Sequence, residues 1–162
     1  MPGPPPNSPG PPPLRPFGLI LHHDGSWTHE GEPIRHRKMR EHFDRHVRYL
    51  PDEEEYVVFL RHFRGQIEVE EAAFFALGFD ARTGEIELSD GTRETLDPST
   101  LRNSPIDGAW LCSVKTELVP GGLSARFERA AHAELLACVE ERDGRFGAVW
   151  ETEFHPLAEG LD

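Results

Sequence analysis

Two histidine pairs are the residues whose types and spacing point most directly to chemistry. His42 and His46 lie four positions apart in a predicted helix, a spacing that can place two imidazoles on one metal ion. The stretch reads His-Phe-Asp-Arg-His and lacks the glutamate base of a helical metalloprotease motif. The alternative role for both histidines is packing or capping within the fold. The sequence therefore assigns no metal to this pair.

The second pair, His22 and His29, is predicted to meet across a hairpin beside Trp27. An Asp-Gly loop follows His22 and His23, and two-residue loops of this composition are typical of type I′ hairpins because both positions need positive φ. That loop length places His22 opposite Trp27 and Ile20 opposite His29, all on one face. A closed zinc site needs four ligands, so this pair predicts no metal centre either.

The other groups that could do chemistry carry no catalytic signature. Cys112 and Cys138 stand apart from any nucleophile motif, and the chain contains no GxSxG, no phosphate-binding loop ending in lysine and no GxGxxG. The acidic runs at 53–55 and 70–71 could supply acid–base carboxylates, but such runs are usually solvated. The sequence favours a non-enzymatic binding module without cofactors. The alternative is a metal-dependent or hydrolytic enzyme that uses the histidines and carboxylates.

Charge is more informative than any single motif. Residues 35–48 carry six basic and two acidic side chains, net +4, which leaves −16 for the rest of a chain whose net charge is −12. A basic helix surface could receive an anionic small ligand or an acidic protein partner. The alternative is that it neutralises the acidic body through pairs such as Arg37 with Glu41. The predicted binding residues are Trp27, His29, Arg35, Arg37, Arg40, Arg129 and Trp150. The tryptophans among them are either pocket walls or core residues.

Two amphipathic helices are predicted to position these side chains. The first covers residues 35–50 and ends at Pro51. Its predicted buried stripe is Met39, Phe43, His46, Val47 and Leu50. The second covers residues 124–141 with Ser124 as its N-cap. Its stripe, in steps of about four, is Leu123, Phe127, Ala131, Leu135 and Cys138.

Short strands are predicted for most of the remaining chain, and part of their pattern recurs. The strand segments lie within 17–29, 56–79, 85–88, 109–114 and 145–155. Residues 19–33 and 86–98 each show an apolar strand, Asp-Gly-Ser/Thr, a polar strand and a proline. The sequence therefore predicts an α+β fold of two tandem similar β-hairpin–helix–strand motifs, 17–80 and 81–162, packed as one compact unit. Chance recurrence of a short Asp-Gly pattern is the alternative.

Composition limits the class of protein and its partners. Nine of the fifteen prolines fall in residues 1–16, which predicts a disordered Pro-rich tail, with a ligand for an aromatic groove as the alternative. No apolar run is long enough to cross a membrane, and the acidic net charge argues against nucleic acid. Two cysteines and no signal-peptide pattern favour the cytoplasm. Oligomeric state is left open.

Several segments resemble a known bacterial family. Residues 24–34, Asp-Gly-Ser-Trp-Thr-His-Glu-Gly-Glu-Pro-Ile, resemble the opening motif of domain of unknown function 1285, and residues 67–76 are similar as well. Gly147-Ala148-Val149-Trp150 and Phe154-His155-Pro156-Leu157 resemble its closing motif. The resemblance covers most of residues 19–157 and is weakest from 80 to 115. It implies two tandem, similar α+β motifs and a regulatory or signalling role, and it supplies no catalytic residues.

Overall fold

A computed structural model describes residues 14–61 and 63–162 of the protein, and in them sheet dominates over helix. The first unit contains β1 (Leu14–Leu21), β2 (Trp27–His29), β3 (Glu32–Pro33), α1 (Arg37–His46), β4 (Val47–Leu50), β5 (Glu55–Leu60) and β6 (Phe63–Val69). The second contains β7 (Phe74–Asp80), β8 (Glu85–Leu88), β9 (Arg93–Thr95), a 3-10 turn (Pro98–Thr100), β10 (Arg102–Asn103), β11 (Trp110–Val114) and β12 (Leu123–Phe127). The chain then forms α2 (Arg129–Leu136), β13 (Val139–Arg142), β14 (Arg145–Trp150) and β15 (Glu153–Pro156). The predicted α+β class is confirmed.

The first twelve strands form two six-stranded sheets with the same strand order. Read from matching ends, the orders are β3-β2-β1-β6-β5-β4 and β9-β8-β7-β12-β11-β10. In each sheet the chain starts on a central strand, moves outward, crosses to the opposite edge and returns inward to pair parallel with its first strand. The remaining strands, β13, β14 and β15, form a separate antiparallel sheet. Two similar tandem units are therefore confirmed at the level of the sheets.

The repeat predicted from the sequence is displaced by one strand from the repeat of the two sheets. Strand order matches the β1–β2 hairpin with β7–β8, whereas the sequence pattern matched it with β8–β9. The pattern recurs because both turns use the same local chemistry. Asp24 accepts hydrogen bonds from the backbone N–H and hydroxyl of Ser26, and Asp90 accepts the same two from Thr92. Asp-Gly-Ser/Thr therefore reports a type of turn and not a position in the unit.

The first predicted helix is correct in its centre and wrong at its end. Helix α1 ends at His46, and Val47–Leu50 pair antiparallel with β5. Val47 is buried, but it is buried within a sheet, and Met39 is 48% exposed. No residue of α1 is fully buried. Of the predicted stripe, Phe43 is half-buried and packs against the core, whereas the prediction for Met39 is wrong. Pairing with β5 decides the conformation of residues 47–50, and the pattern of apolar residues in the sequence does not contain that information.

The second predicted helix begins as a strand. Leu123, Ala125 and Phe127 are buried and alternate with half-buried Ser124 and Arg126 in β12, so Ser124 is not an N-cap. Helix α2 starts only at Arg129, buries Ala131 and Leu135, and is followed by β13. The misassignment arises because a step of four residues fits both a strand, with a period of two, and a helix, with a period of 3.6.

The β1–β2 hairpin has a longer turn than the sequence predicts. Leu21 faces Trp27 and Leu19 faces His29, which leaves residues 22–26 as the turn, closed by a hydrogen bond of 2.8 Å from the His22 N–H to the Ser26 carbonyl. Trp27 therefore lies on the buried face of the sheet, and His22 does not lie opposite it. The predicted one-face cluster is wrong, because a shift of one residue moves side chains to the other face.

The boundary of the predicted Pro-rich tail also shifts. Residues 14–16 belong to β1 and pair parallel with residues 64–66 of β6. Residues 1–13 lie outside the described part of the chain. One continuous apolar core runs through both sheets, α2 and β14, and it includes Trp27, Phe74 and Trp150. Neither α1 nor α2, the helices within the described residues, has the length and apolarity needed to cross a membrane.

Candidate functional site

A cleft of about 490 Å³ opens between the turn at residues 22–26 and the start of α1, and we call it the hairpin–helix cleft. Its size falls in the range of small-molecule sites. The polar and charged side chains that line it are His22, His23, Asp24, Ser26, Thr28, Arg35 and Arg40. Trp27, Pro33 and Ile34 complete its walls. The cleft therefore combines an apolar wall with basic groups from two elements.

Trp27 fastens the hairpin to α1 and so sets the shape of the cleft. Its indole N–H donates to Asp44 Oδ1 at 2.8 Å, and its ring lies 5.4 Å from the ring of Phe43. Burial raises the pKa of the Asp44 carboxyl, and the hydrogen bond from Trp27 opposes that rise. At the start of α1, His36 Nδ1 accepts a hydrogen bond from the Met39 N–H as the N-cap. The Arg40 N–H donates to the His36 carbonyl at 3.1 Å, which fixes the backbone of Arg40 in the first turn of the helix.

The positive charges of the two arginines in the cleft, Arg35 and Arg40, are not neutralised by an ion pair with a described residue. Arg40 Nε is buried and has no hydrogen-bond partner among residues 14–61 and 63–162. Its charge acts on Asp44, whose pKa it lowers, but the two form no ion pair within 4.0 Å. Arg35 is exposed and forms no ion pair with any described residue. Buried polar groups normally have partners, and the charges of both arginines are unmatched by an ion pair with a described residue.

The structure gathers three of the seven predicted binding residues and separates the others. Trp27, Arg35 and Arg40 line the hairpin–helix cleft. Arg37 is not part of the cleft lining, is mostly exposed, and donates from Nε to Glu41 Oε1 at 2.8 Å, which is the predicted internal pair.

The remaining three predicted residues lie elsewhere. His29 lines a separate apolar pocket of about 320 Å³ with Met39 and Phe43. Arg129 lines another, of about 370 Å³, at the start of α2. Trp150 is 5% exposed and stacks on His155 with ring centroids 3.7 Å apart. A single surface does not unite all seven residues.

The other chemically suggestive residues do not assemble into a reactive centre. The rings of His42 and His46 lie 4.2 Å apart, but His46 Nδ1 contacts the carbonyl of His42. No group of three or more His, Cys, Asp or Glu side chains in the described part of the chain could hold a metal ion. Burial raises the pKa of the Cys112 thiol to about 12, and it also raises that of Cys138. Both cysteines are free thiols.

A histidine–carboxylate contact beside the cleft was not singled out from the sequence. His22 Nδ1 lies 3.2 Å from Glu70 Oε2, and His23 Nδ1 lies 2.7 Å from Glu70 Oε1. His22 also contacts the Thr28 hydroxyl through Nε2 at 2.9 Å. Burial would raise the pKa of the Glu70 carboxyl, but the hydrogen bonds from both histidines hold it below its ordinary value. The doubled histidine before Asp-Gly was the available signal, but its acceptor lies 47 residues away.

The same contacts continue into the second sheet. His23 Nε2 lies 3.9 Å from Asp107 Oδ2, and Asp107 receives two hydrogen bonds from Arg126, at 3.1 and 2.6 Å. Arg126 also lies 3.7 Å from Glu71 Oε1. Hydrogen bonds from Arg126 and from the Ala109 N–H lower the pKa of Asp107 to about 2. One wall of the cleft is therefore tied to the second sheet through charged groups.

Two solved structures are similar to the protein. One is a DUF1285 family protein from Silicibacter pomeroyi DSS-3, 21% identical in sequence, with 92% of this chain and 84% of that chain covered and a TM-score of 0.62. The other is a DUF1285 family protein from Shewanella baltica OS155, 16% identical, with 75% and 91% covered and a TM-score of 0.50. Neither the protein-family models nor the curated proteins give a match. The resemblance seen in the sequence is thus confirmed at the level of fold: the protein has the fold of the DUF1285 proteins.

Proposed function

We propose that the protein is a non-enzymatic regulatory or signalling module that binds a small anionic ligand in the hairpin–helix cleft. The observation that carries this proposal is that Arg35 and Arg40 both line the cleft and neither forms an ion pair with a described residue, while the Nε of Arg40 also lacks a hydrogen-bond partner among those residues. A phosphate or carboxylate accepts paired hydrogen bonds from guanidinium groups. A ligand of this chemistry would supply the acceptors that the described residues do not.

The other charges of the cleft indicate where the anionic group would lie. His22 and His23 both contact Glu70, which offsets any positive charge they carry. Hydrogen bonds from Ser26 lower the pKa of Asp24, so this carboxylate stays negative at the hairpin side. The anionic group is therefore expected on the α1 side, next to Arg35 and Arg40, with the remainder of the ligand toward Trp27 and Thr28.

Thermal-shift measurements with inorganic phosphate, pyrophosphate and nucleotides test this proposal. A ligand present at 100 times its Kd stabilises a protein by about 2.7 kcal/mol, which is readily seen as a rise in Tm. We expect Arg40→Gln to abolish the rise. Arg37→Gln is the matched control, because Arg37 belongs to the same helix but lies outside the cleft. No rise with any of these anions, or equal losses in the two variants, would contradict the proposal.

An acidic protein partner is the second candidate for this part of the surface. Lys38, Arg45 and Arg48 are exposed on or just after α1, so the helix retains positive charge outside the cleft. A partner that covers the helix would depend on Arg37 as strongly as on Arg40, which the same pair of variants distinguishes. We also place the protein in a reducing, cytoplasmic compartment, which the two free thiols support.

A further inference from the structure

A second cavity, of about 470 Å³, lies where β11, α2, the β13–β14–β15 sheet and the segment after β15 meet. We call it the C-terminal pocket. Its apolar walls are formed by Trp110, Leu136, Val139, Phe146, Leu157 and Leu161. It shares no residue with the hairpin–helix cleft. A pocket of this size with mostly apolar walls and few polar groups is typical of sites for small organic ligands.

Two of the pocket's walls keep large apolar side chains in solvent. Phe146 is 58% exposed and Leu136 is 46% exposed. Single exposed apolar residues are common, but here one residue from β14 and one from α2 line the same concave surface. Contact with an apolar ligand would remove both side chains from water, and this burial would contribute favourably to the free energy of binding.

The pocket is held in shape without a ligand. The Trp110 indole N–H donates to the Asp162 carbonyl at 2.9 Å, and the Asp162 N–H donates to Asn103 Oδ1 at 2.8 Å. The N–H of Leu157 donates to the Phe146 carbonyl at 3.0 Å, and the N–H of Ala158 donates to the Pro98 carbonyl at 3.2 Å. These bonds fix the segment after β15 as a wall, so binding would cost little ordering of the chain.

The charged groups of the pocket restrict the chemistry of a ligand. Arg145 lines it and forms no ion pair with any described residue, whereas Arg142 in the preceding strand pairs with Glu140 at 3.1 Å. Glu159 lines the other wall and would repel a second negative charge. We propose that the C-terminal pocket binds an amphipathic monocarboxylate, with its apolar body against Phe146 and Leu136 and its carboxylate on Arg145.

Titration calorimetry with sodium decanoate below its micelle concentration tests the proposal on the full chain. We expect one saturable site that Leu136→Gln weakens about tenfold, as the loss of part of a buried leucine contact would. Leu118→Gln is the matched control, because Leu118 is 38% exposed and lines none of the pockets described here. Phe146→Ala provides a second wall variant, at a side chain that is 58% exposed and outside the apolar core.

The head-group assignment has its own pair of variants. Arg145→Gln is expected to weaken decanoate about tenfold and to leave the binding of neutral decanol unchanged, because only the carboxylate contacts the guanidinium. Arg142→Gln is expected to change neither. Absence of saturable decanoate binding, equal effects within either matched pair, or equal binding of decanoate and decyltrimethylammonium would overturn the proposal. Phosphate binding at Arg40 is measured separately, so failure at one site is distinct from failure at the other.

Discussion

At the scale of single residues, Lys115 occupies the most demanding position in the second unit. It is buried, has a φ of 54°, and its ammonium lies 2.8 Å from Asp90 Oδ2 and 4.9 Å from the centre of the Phe74 ring. Its backbone N–H donates to the Glu94 carboxylate at 3.2 Å. A non-glycine residue in the left-handed region indicates that its surroundings hold it there. Here two carboxylates from the turn after β8 and from β9 do so.

Removal of the Lys115 charge is expected to leave the buried Asp90 carboxylate without its counter-charge, held only by its hydrogen bonds from Thr92. Lys115→Met should lower the free energy of unfolding by about 3 kcal/mol, the cost of breaking a buried pair from one side. The double variant Lys115→Met with Asp90→Asn should recover most of that loss, because no buried charge then remains. Urea unfolding monitored by tryptophan fluorescence measures both values. A double variant as unstable as the single one would show that the ion pair is not the cause.

The residue scale also shows what sequence reasoning could identify in the cleft. Arg35, Arg40 and Trp27 were predicted from charge clustering and a hairpin motif, and the structure brings them together. The contact of His23 with Glu70 is not predicted by the sequence, since it joins a turn to the end of a strand far along the chain. Short-range patterns cannot contain a contact of that kind.

At the scale of elements, the β7–β8 and β8–β9 turns both contain a glycine with positive φ, but only in the β7–β8 turn does the space around the glycine exclude a side chain. Gly84 has a φ of 78°, and a Cβ at this position would lie 2.2 Å from the Trp150 ring. Gly91, in the next turn, has a φ of 87° and nothing within 4 Å of a Cβ. Substitution of either glycine would strain the backbone, because both have positive φ. Only at Gly84 would the new side chain also collide with a core residue, Trp150.

Alanine at the two turns is therefore expected to have different effects. Gly91→Ala should cost about 1 kcal/mol from the left-handed conformation alone. Gly84→Ala should cost about 2 kcal/mol more, because the buried indole must move. Thermal or urea unfolding of the two variants gives the difference directly. Equal destabilisation would mean that the Trp150 ring accommodates the methyl group freely.

Helices and strands are predictable from the sequence where the apolar residues fit only one periodicity, either that of a strand or that of a helix. Ile86 and Leu88 are buried and alternate with Glu85 and Glu87 in β8, as their pattern predicts. The predicted helix at 124–141 was wrong in its first part because Leu123 and Phe127 fit either period. Pairing with neighbouring strands decides the conformation of such segments, as for β12 between β11 and β7 and for β4 beside β5, and propensity alone does not.

At the scale of the whole molecule, Asp107 and Arg126 couple the turn of the first sheet to the second sheet. Asp107 is faced by Arg126, by His23 and by the Ala109 N–H. Its pKa is about 2 in the folded protein against an ordinary value of 3.8. A carboxyl with a lowered pKa stabilises the fold above its ordinary pKa and loses that contribution as pH falls through its folded value.

Stability is therefore expected to fall between pH 3.8 and about 2 in part through protonation of Asp107. In Asp107→Asn this part of the dependence should disappear, so the urea midpoint should change less over that interval than in the unmodified protein. Asp52→Asn is the control, since Asp52 lies exposed in the β4–β5 turn and forms no ion pair with a described residue. Identical slopes for Asp107→Asn and the unmodified protein would exclude this contribution.

By itself, the sequence determined the α+β class, the locations of the Asp-Gly turns, most strands and the concentration of positive charge around α1. These follow from neighbours a few residues apart, whose periodicity and turn chemistry are local. Only the tertiary structure decided that the units share one strand order, that the repeat is offset by one strand, and which arginines share a cleft. The physical reason is that parallel pairing of β1 with β6 and of β7 with β12 joins segments about fifty residues apart, and no local pattern specifies such partners.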